Sequence, residues 1–362
     1  MKRIMVKTGS RAYPIVIGKQ VWEELPNLLS EVGISQQRRL FLISDEQVAN
    51  YHLRRVNSVL SESGYNLTVA TVPPGEESKT LTQVEKLVGI GLQAGLDRKS
   101  VILALGGGVV GDLAGLVAAT YMRGLDWVQL PTTTLAHDSS VGGKVGVNHM
   151  LGKNMIGAFH QPRAVVLETS ALTTLPKEEL IAGYAELAKH AFLSGRELIE
   201  WLSNNIEKLV SCDSETVAEA LIKGCQVKAD VVSQDEKEHG IRAILNYGHT
   251  IGHALELESN YSYRHGEAIS IGMVGAARLS QQVLGASKEM VEKTETLLQK
   301  LGLPIRYDSS IAEENLLAAM RRDKKADHTG YSFVLATDFG KMELVRNVPE
   351  EYIREVLGEL RS

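Results

Sequence analysis

Cysteine is almost absent from this chain. Cys212 and Cys225 are the only two in 362 residues, too few for a disulfide framework or a thiolate metal site. Long apolar runs are missing as well. The most apolar stretch, Val101 to Met122, holds five glycines and Asp112, which argues against a membrane span. The opening residues, MKRIMVK, contain no apolar segment of secretory-signal length, so a cytoplasmic protein is expected. Positive charge is not in excess either. A formal net charge of −5 argues against nucleic acid or an anionic membrane as partner. Any anion site must therefore be built from a local cluster of Lys and Arg. No internal repeat or low-complexity segment is evident.

What is present is an ordinary globular composition, 44% apolar and 23% charged, in a chain long enough to favour two domains. The runs RRLFLIS (38–44), LTVATV (67–72), VILALG (101–106), WVQLPT (127–132) and AVVLET (164–169) read as strands. Helical patterns lie between several of them. Strands alternating with helices predict parallel βαβ units, and IMVKTG with YPIVIG suggests an added hairpin or mixed-sheet edge. From Leu175 onward the apolar spacing is close to 3.6 residues. We therefore expect an α/β nucleotide-binding domain over 1–175, Rossmann-like but non-standard, and an all-helical domain over 176–362.

The most informative motif is GHTIGH, with His249 and His253 four apart and His265 following in HGEA. Residues i and i+4 share a helix face. One histidine is commonly just a satisfied polar residue. Three within 17 residues, flanked by Gly248, Gly252 and Gly266, point instead to an open divalent-metal site completed by a carboxylate. Glu186 in AELAKH is the best candidate for it, although Glu186 and Lys189 would alone be an ordinary i,i+3 pair. Lys228, Arg242 and Asn246 lead toward the same region. Arg242 stands seven residues before His249, two turns up if the helix continues. A cation beside a metal suits a substrate with both a carboxylate and hydroxyls.

LGGGVVGD follows a strand and contains G-x-G-x-x-G at Gly106, Gly108 and Gly111. Glycines there let backbone N–H groups approach a pyrophosphate at a helix N-terminus. The motif is not on the first βα unit and lacks the usual downstream acid. Asp45 is the substitute for the ribose hydroxyls, with Glu76 and Lys79 as further contacts. In the segment from Asp138 to Asn154, Lys144, Lys153 and Asn154 occupy a glycine-interrupted loop. Each lysine alone would be a solvated surface group. With Arg123 and Lys324 they could assemble an anion site, since charge-assisted bonds to phosphate are strong.

GGGVVGDLAG, YMRG, PTT, DSSVGGK, LGKNMIGAFHQP, AELAKH, LNYGHTIGHA, HGEA and RDKK occur in the order seen in 3-dehydroquinate synthases, which this chain resembles along nearly its whole length. That resemblance implies conversion of 3-deoxy-D-arabino-heptulosonate 7-phosphate to 3-dehydroquinate and phosphate by a homodimer using NAD⁺ and a divalent metal, zinc or cobalt. It implies metal ligands Glu186, His249 and His265, with His253 handling protons or hydroxyls in the pocket. Lys144, Asn154 and Lys324 would hold the phosphate with Arg123 from a partner subunit, and Lys228 with Arg242 would clamp the carboxylate. Asp138, Lys189 and Asn246 match other active-site positions. Asp45, Glu76, Lys79, Gly107, Gly108, Asp112, Thr132, Thr133, Lys144, Lys153 and Thr174 match nucleotide contacts. One departure is a segment shorter by one residue before Asp138. Other sugar-phosphate cyclases, such as 2-deoxy-scyllo-inosose synthase, would not need the carboxylate clamp. A metal-dependent polyol dehydrogenase would have little use for the phosphate set. A non-catalytic NAD-binding protein should have lost a ligand.

Overall fold

A computed structural model describes residues 1–322 and 330–362 of the chain. These divide into two compact units, Met1–Leu175 with Cys212–Lys237, and Pro176–Ser211 with Glu238–Ser362.

The first unit is built on a seven-stranded sheet. Its strands are β1 (Lys2–Lys7), β2 (Ala12–Gly18), β3 (Leu40–Asp45), β4 (Leu67–Val72), β5 (Val101–Gly106), β6 (Asp126–Pro131) and, after the hairpin of β7 (Lys144–His149) and β8 (Gly152–Phe159), β9 (Ala164–Glu168). The order is β1-β2-β9-β6-β5-β3-β4. Every neighbouring pair is parallel except β1 with β2. Alternate residues feed two apolar clusters: Leu40, Leu42, Leu103 and Leu105 on one face, Phe41, Ile43, Ile102 and Ala104 on the other. Period-two alternation puts both sets in cores, and a parallel sheet covered on both faces needs both to be apolar. The chain runs outward from β3 to β4 and then resumes at β5 on the other side of β3. That reversal makes the carboxyl ends of β3 and β5 the topological switch point, where ligands of open α/β sheets bind.

Two sequence expectations are corrected here. The Lys144–Asn154 segment is not a loop: β7 and β8 pair antiparallel. Gly146 and Gly157 face each other where a Cβ on either would meet the opposite backbone. Nor does the helical half take in all of 176–362. Helix Ser214–Gln234 belongs to the first unit, because its buried face packs on β1 and β2. Periodicity reports that a helix has an apolar face, not which sheet will cover it.

The second unit is helical, as expected, and among its described residues one hairpin, β10 (Tyr331–Asp338) with β11 (Lys341–Val348), packs beside the helices. β10 is buried over its first six residues and packs on helix His265–Leu284. That helix also contacts helices Lys177–Ser194, His249–Glu258, Lys288–Lys300 and Glu350–Leu360. Small residues set how closely it approaches two of them. A Cβ on Gly266 would overlap the carbonyl of Ala182, and one on Gly272 would overlap the carbonyl of Gly248. Overpacking of a fixed backbone contact costs typically 1–3 kcal/mol and sometimes more. We expect Gly266→Ala to lower the midpoint of thermal unfolding by several degrees, about 2–4 °C for each kcal/mol lost. An unchanged midpoint would refute the close approach.

Candidate active site

Close helix packing puts three side chains in one place within the second unit. Glu186 lies one turn after Ala182, on the face pressed against Gly266, and His265 is the residue before that glycine. Gly248, with φ +80°, ends the preceding segment and starts helix His249–Glu258 against the same partner helix. Glu186 Oε1 consequently lies 3.2 Å from Nε2 of His265 and 3.5 Å from Nε2 of His249. The candidate ligand atoms of all three residues fall within 4.8 Å of one another.

The hydrogen bonding shows what this arrangement accommodates. His249 Nδ1 lies 3.2 Å from the Tyr247 carbonyl oxygen, which can only accept, so Nδ1 carries the proton and donates it. Burial drives His249 well below the ordinary histidine range, so the ring is neutral at pH 7. Its Nε2 lone pair then faces a carboxylate oxygen, acceptor against acceptor, which a cation between them resolves. At His265 burial opposes charge, but hydrogen bonds to Glu186 and Glu256 outweigh it and raise the group to about 10. A proton thus holds the place that a metal would take there. The other oxygen of Glu186 pairs with Lys189 Nζ. With Glu186 and Lys189 1% and 2% exposed, the pair fixes which carboxylate oxygen faces the histidines. The set fits a divalent metal with an open position.

His253 is exposed. Its ring centroid lies 5.1 Å from that of His249, but its ligand atom groups with Glu256 and His265, not with Glu186. The expectation that Arg242 sits two turns up the same helix is not met. A 3₁₀ segment, Ile241–Asn246, precedes left-handed Gly248, and the helix begins only at His249. Arg242 is nevertheless 1% exposed. Asn246 Nδ2 donates to Glu238 Oε1 at 3.1 Å and to the Ala243 carbonyl at 3.0 Å. Lys324 lies outside the described residues.

In the first unit, the Gly-rich turn sits at the switch point. Gly107 precedes helix Gly108–Thr120, presenting that helix's free first-turn N–H groups at the end of β5. Asp45, at the end of β3, commits Oδ1 to the Val48 N–H. Thr132 is 3% exposed and its Oγ1 has no hydrogen-bond partner among the described residues, as expected of a polar atom awaiting a ligand. The neighbouring Thr133 Oγ1 accepts from Ala136 N–H. The cradle, the switch point and the orphaned hydroxyl together fit a dinucleotide.

Lys79, Asp112 and Asn154 form one network. Lys79 Nζ donates to Asp112 Oδ2 at 2.8 Å and to Asn154 Oδ1 at 2.6 Å, with Glu76 Oε1 at 3.5 Å. Expected phosphate and nucleotide residues are thereby joined in one cluster, with Asn154 held at φ +54°. Lys228 Nζ reaches the Asp138 carbonyl oxygen at 2.8 Å and Oδ2 at 2.6 Å. Asp138 stands on a short helix, Ala136–Ser139, so the shortened segment still presents its carboxylate. Lys228 lies in the first unit and Arg242 in the second. Thr174 Oγ1 donates to the Ala171 carbonyl and contacts His52 Nε2 at 3.0 Å. Arg123 is exposed with φ +70°, between Met122 and Gly124, which also have positive φ. Lys144 is exposed and Lys153 partly buried on the β7–β8 hairpin.

Glu256 was missed in the sequence, yet it lies 3.3 Å from His265 Nδ1. The signal was available as H-x-x-x-H-x-x-E from His249 to Glu256, positions that recur on one helix face.

Comparison with known proteins gives a consistent result. Family models described as 3-dehydroquinate synthase N-terminal and C-terminal match residues 69–182 and 183–326. A 3-dehydroquinate synthase of Desulforamulus reducens is 43% identical over 361 residues, covering 99% of this chain and 100% of the relative. That of Geobacillus kaustophilus is 44% identical over 341 residues, covering 94% and 93%. Among solved structures, a 2-deoxy-scyllo-inosose synthase complexed with carbaglucose-6-phosphate, NAD⁺ and Co²⁺ superimposes with a TM-score of 0.88 at 28% identity, covering 99% and 100% of the two chains. With matching models over both halves and relatives above 40% identity along its length, the chain belongs to the 3-dehydroquinate synthase family.

Proposed function

We propose that the chain is an NAD⁺- and divalent-metal-dependent carbon–oxygen lyase that converts 3-deoxy-D-arabino-heptulosonate 7-phosphate to 3-dehydroquinate and phosphate, a step of the shikimate pathway. The observation that carries this reading is Glu186 Oε1 facing Nε2 of both His249 and His265. When bound, NAD⁺ supplies a reversible hydride acceptor and zinc or cobalt polarises a substrate hydroxyl. The chain's own residues bind, orient and move protons around that chemistry.

Glu186, His249 and His265 hold the metal, with Lys189 keeping Glu186 in place. The first turn of helix Gly108–Thr120 takes the pyrophosphate, and Asp45, Glu76, Lys79, Asp112, Thr132, Thr133, Lys153 and Thr174 surround the rest of the dinucleotide. Lys144, Asn154 and Lys324 bind the phosphate with Arg123 of a second subunit, which makes a homodimer part of the proposal. The positive charge of Lys144, Lys324 and Arg123 stabilises the leaving phosphate as its bond to carbon breaks. Arg242 and Lys228 bind the carboxylate. Asp138 is held by Lys228, and Asn246 by Glu238. His253, exposed and beside His249, exchanges protons with the substrate; a positioned acid or base contributes about 10²–10⁴-fold. Holding one substrate through every stage contributes by orientation. The cytoplasm is the proposed site of action. No helix among the described residues is long and apolar enough to cross a membrane.

The test is phosphate release from 3-deoxy-D-arabino-heptulosonate 7-phosphate with NAD⁺, with and without EDTA, while NADH absorbance is followed. Release that EDTA abolishes, with no NADH accumulating, is expected. Failure to release phosphate, or steady NADH accumulation with a polyol, would overturn the assignment.

A further inference from the structure

The two histidines facing Glu186 are both held from behind, by different means. The Tyr247 carbonyl takes Nδ1–H of His249. Nδ1 of His265 meets a carboxylate, Glu256 Oε2, at 3.3 Å. Glu256 is 8% exposed, and a carboxylate at such depth is costly unless hydrogen-bonded or paired. It stands seven residues after His249 on helix His249–Glu258. Two helical turns bring it back to the same face. One helix thus carries a candidate ligand at its first turn and, two turns on, the group that reaches the other candidate ligand.

We propose that Glu256 is a positioning residue for the metal centre: by accepting Nδ1–H it holds the His265 ring with Nε2 turned toward Glu186. A neutral imidazole has one N–H and one lone pair, so fixing the proton on Nδ1 leaves Nε2 as the ligand atom. A carboxylate acceptor also makes the ring a stronger donor to a cation than a carbonyl would. Glu256 itself touches neither substrate nor metal. This inference rests on the metal-centre reading above. A competing use of the same atoms is a second ion on His253, Glu256 and His265, whose candidate ligand atoms also lie within 4.8 Å of one another. That use would require His265 to serve one ion through each nitrogen and to lose its N–H altogether.

The test is cobalt titration of the metal-stripped protein without substrate, with affinity read by competition with a chromogenic chelator and the visible band of bound cobalt recorded. Glu256→Met keeps a helix-forming side chain of similar length in the buried position and removes the acceptor. It is expected to weaken cobalt binding about 10–100-fold, as loss of an outer hydrogen-bond partner typically does, and to shift the band, with the far-ultraviolet circular dichroism unchanged. Glu256→Gln, whose amide oxygen can accept the same bond, should recover most of the affinity. In the zinc-loaded wild-type chain, ¹⁵N-histidine NMR should show a downfield Nδ1–H on His265. This last measurement decides the matter even if Glu256→Met does not fold.

Wild-type affinity and spectrum in Glu256→Met, or no such N–H, would overturn the proposal. So would two cobalt equivalents in the wild type, of which Glu256→Met loses one. A wild-type chain that binds no cobalt would overturn the metal-centre reading as well, which separates the two failures.

Discussion

Glu186→Gln is expected to remove metal binding and turnover together. Its carboxylate is the anionic member of the three-residue set, with Oε1 facing both histidines, and an amide there presents a far weaker donor to a divalent cation. Loss of the polarisation that a metal supplies, at several kcal/mol, corresponds to a fall in turnover of about 10³-fold or more. Metal content after dialysis and phosphate release should fall in parallel. The substitution also removes the carboxylate that pairs with Lys189, 2% exposed. Breaking a buried pair on one side costs roughly 3–5 kcal/mol, so the unfolding midpoint should drop too. His265→Ala separates the two effects, because it removes a candidate ligand and keeps the buried Glu186–Lys189 pair. It should lose the metal with a smaller loss of stability. An active, metal-replete Glu186→Gln protein would refute the ligand set.

Arg242→Ala is expected to discriminate between substrates. A guanidinium only 1% exposed is suited to bind a carboxylate through two parallel N–H···O bonds in low dielectric. Truncating one side of such a buried charge pair costs about 2–5 kcal/mol, or roughly 30- to several-thousand-fold in affinity at about 1.4 kcal/mol per decade. That loss should fall on KM and kcat/KM for the carboxylate substrate. A decarboxy analogue should lose less than tenfold, since it makes no such bond in either protein. Arg242→Lys keeps the charge but loses the planar fork, and should recover only part of the difference. Equal losses for both substrates would remove Arg242 from the clamp and leave the rival cyclase chemistry open.

Much of this was legible from local pattern. The runs that read as strands form the parallel sheet because β-rich apolar segments buried on both faces have few other solutions. The four-residue spacing of His249 and His253 announced a helix face. What local pattern misjudged were features set by distant partners. β7 and β8 were hidden because glycines that permit close pairing of two strands look, in isolation, like a loop. β10 and β11 were read into a helical half. Helix Ser214–Gln234 was placed with the segment around it, although its face packs on β1 and β2. The continuous helix imagined from Arg242 to His249 stops at Gly248, whose backbone conformation is set by packing on its neighbour helix.

By itself the sequence determined the inventory: three histidines, a candidate carboxylate on another helix, a glycine turn after a strand, and too few cysteines for thiolate chemistry. It also carried the family resemblance. Only the tertiary structure decided which members of that inventory meet. His253 has the better spacing from His249, but His265 and Glu186 face it, because Gly266 and Gly272 let the backbones of two other helices come close. Spacing along a chain fixes angles around a single helix axis. Contact between helices depends on side-chain volume at the crossing points, and that is settled only when the helices pack.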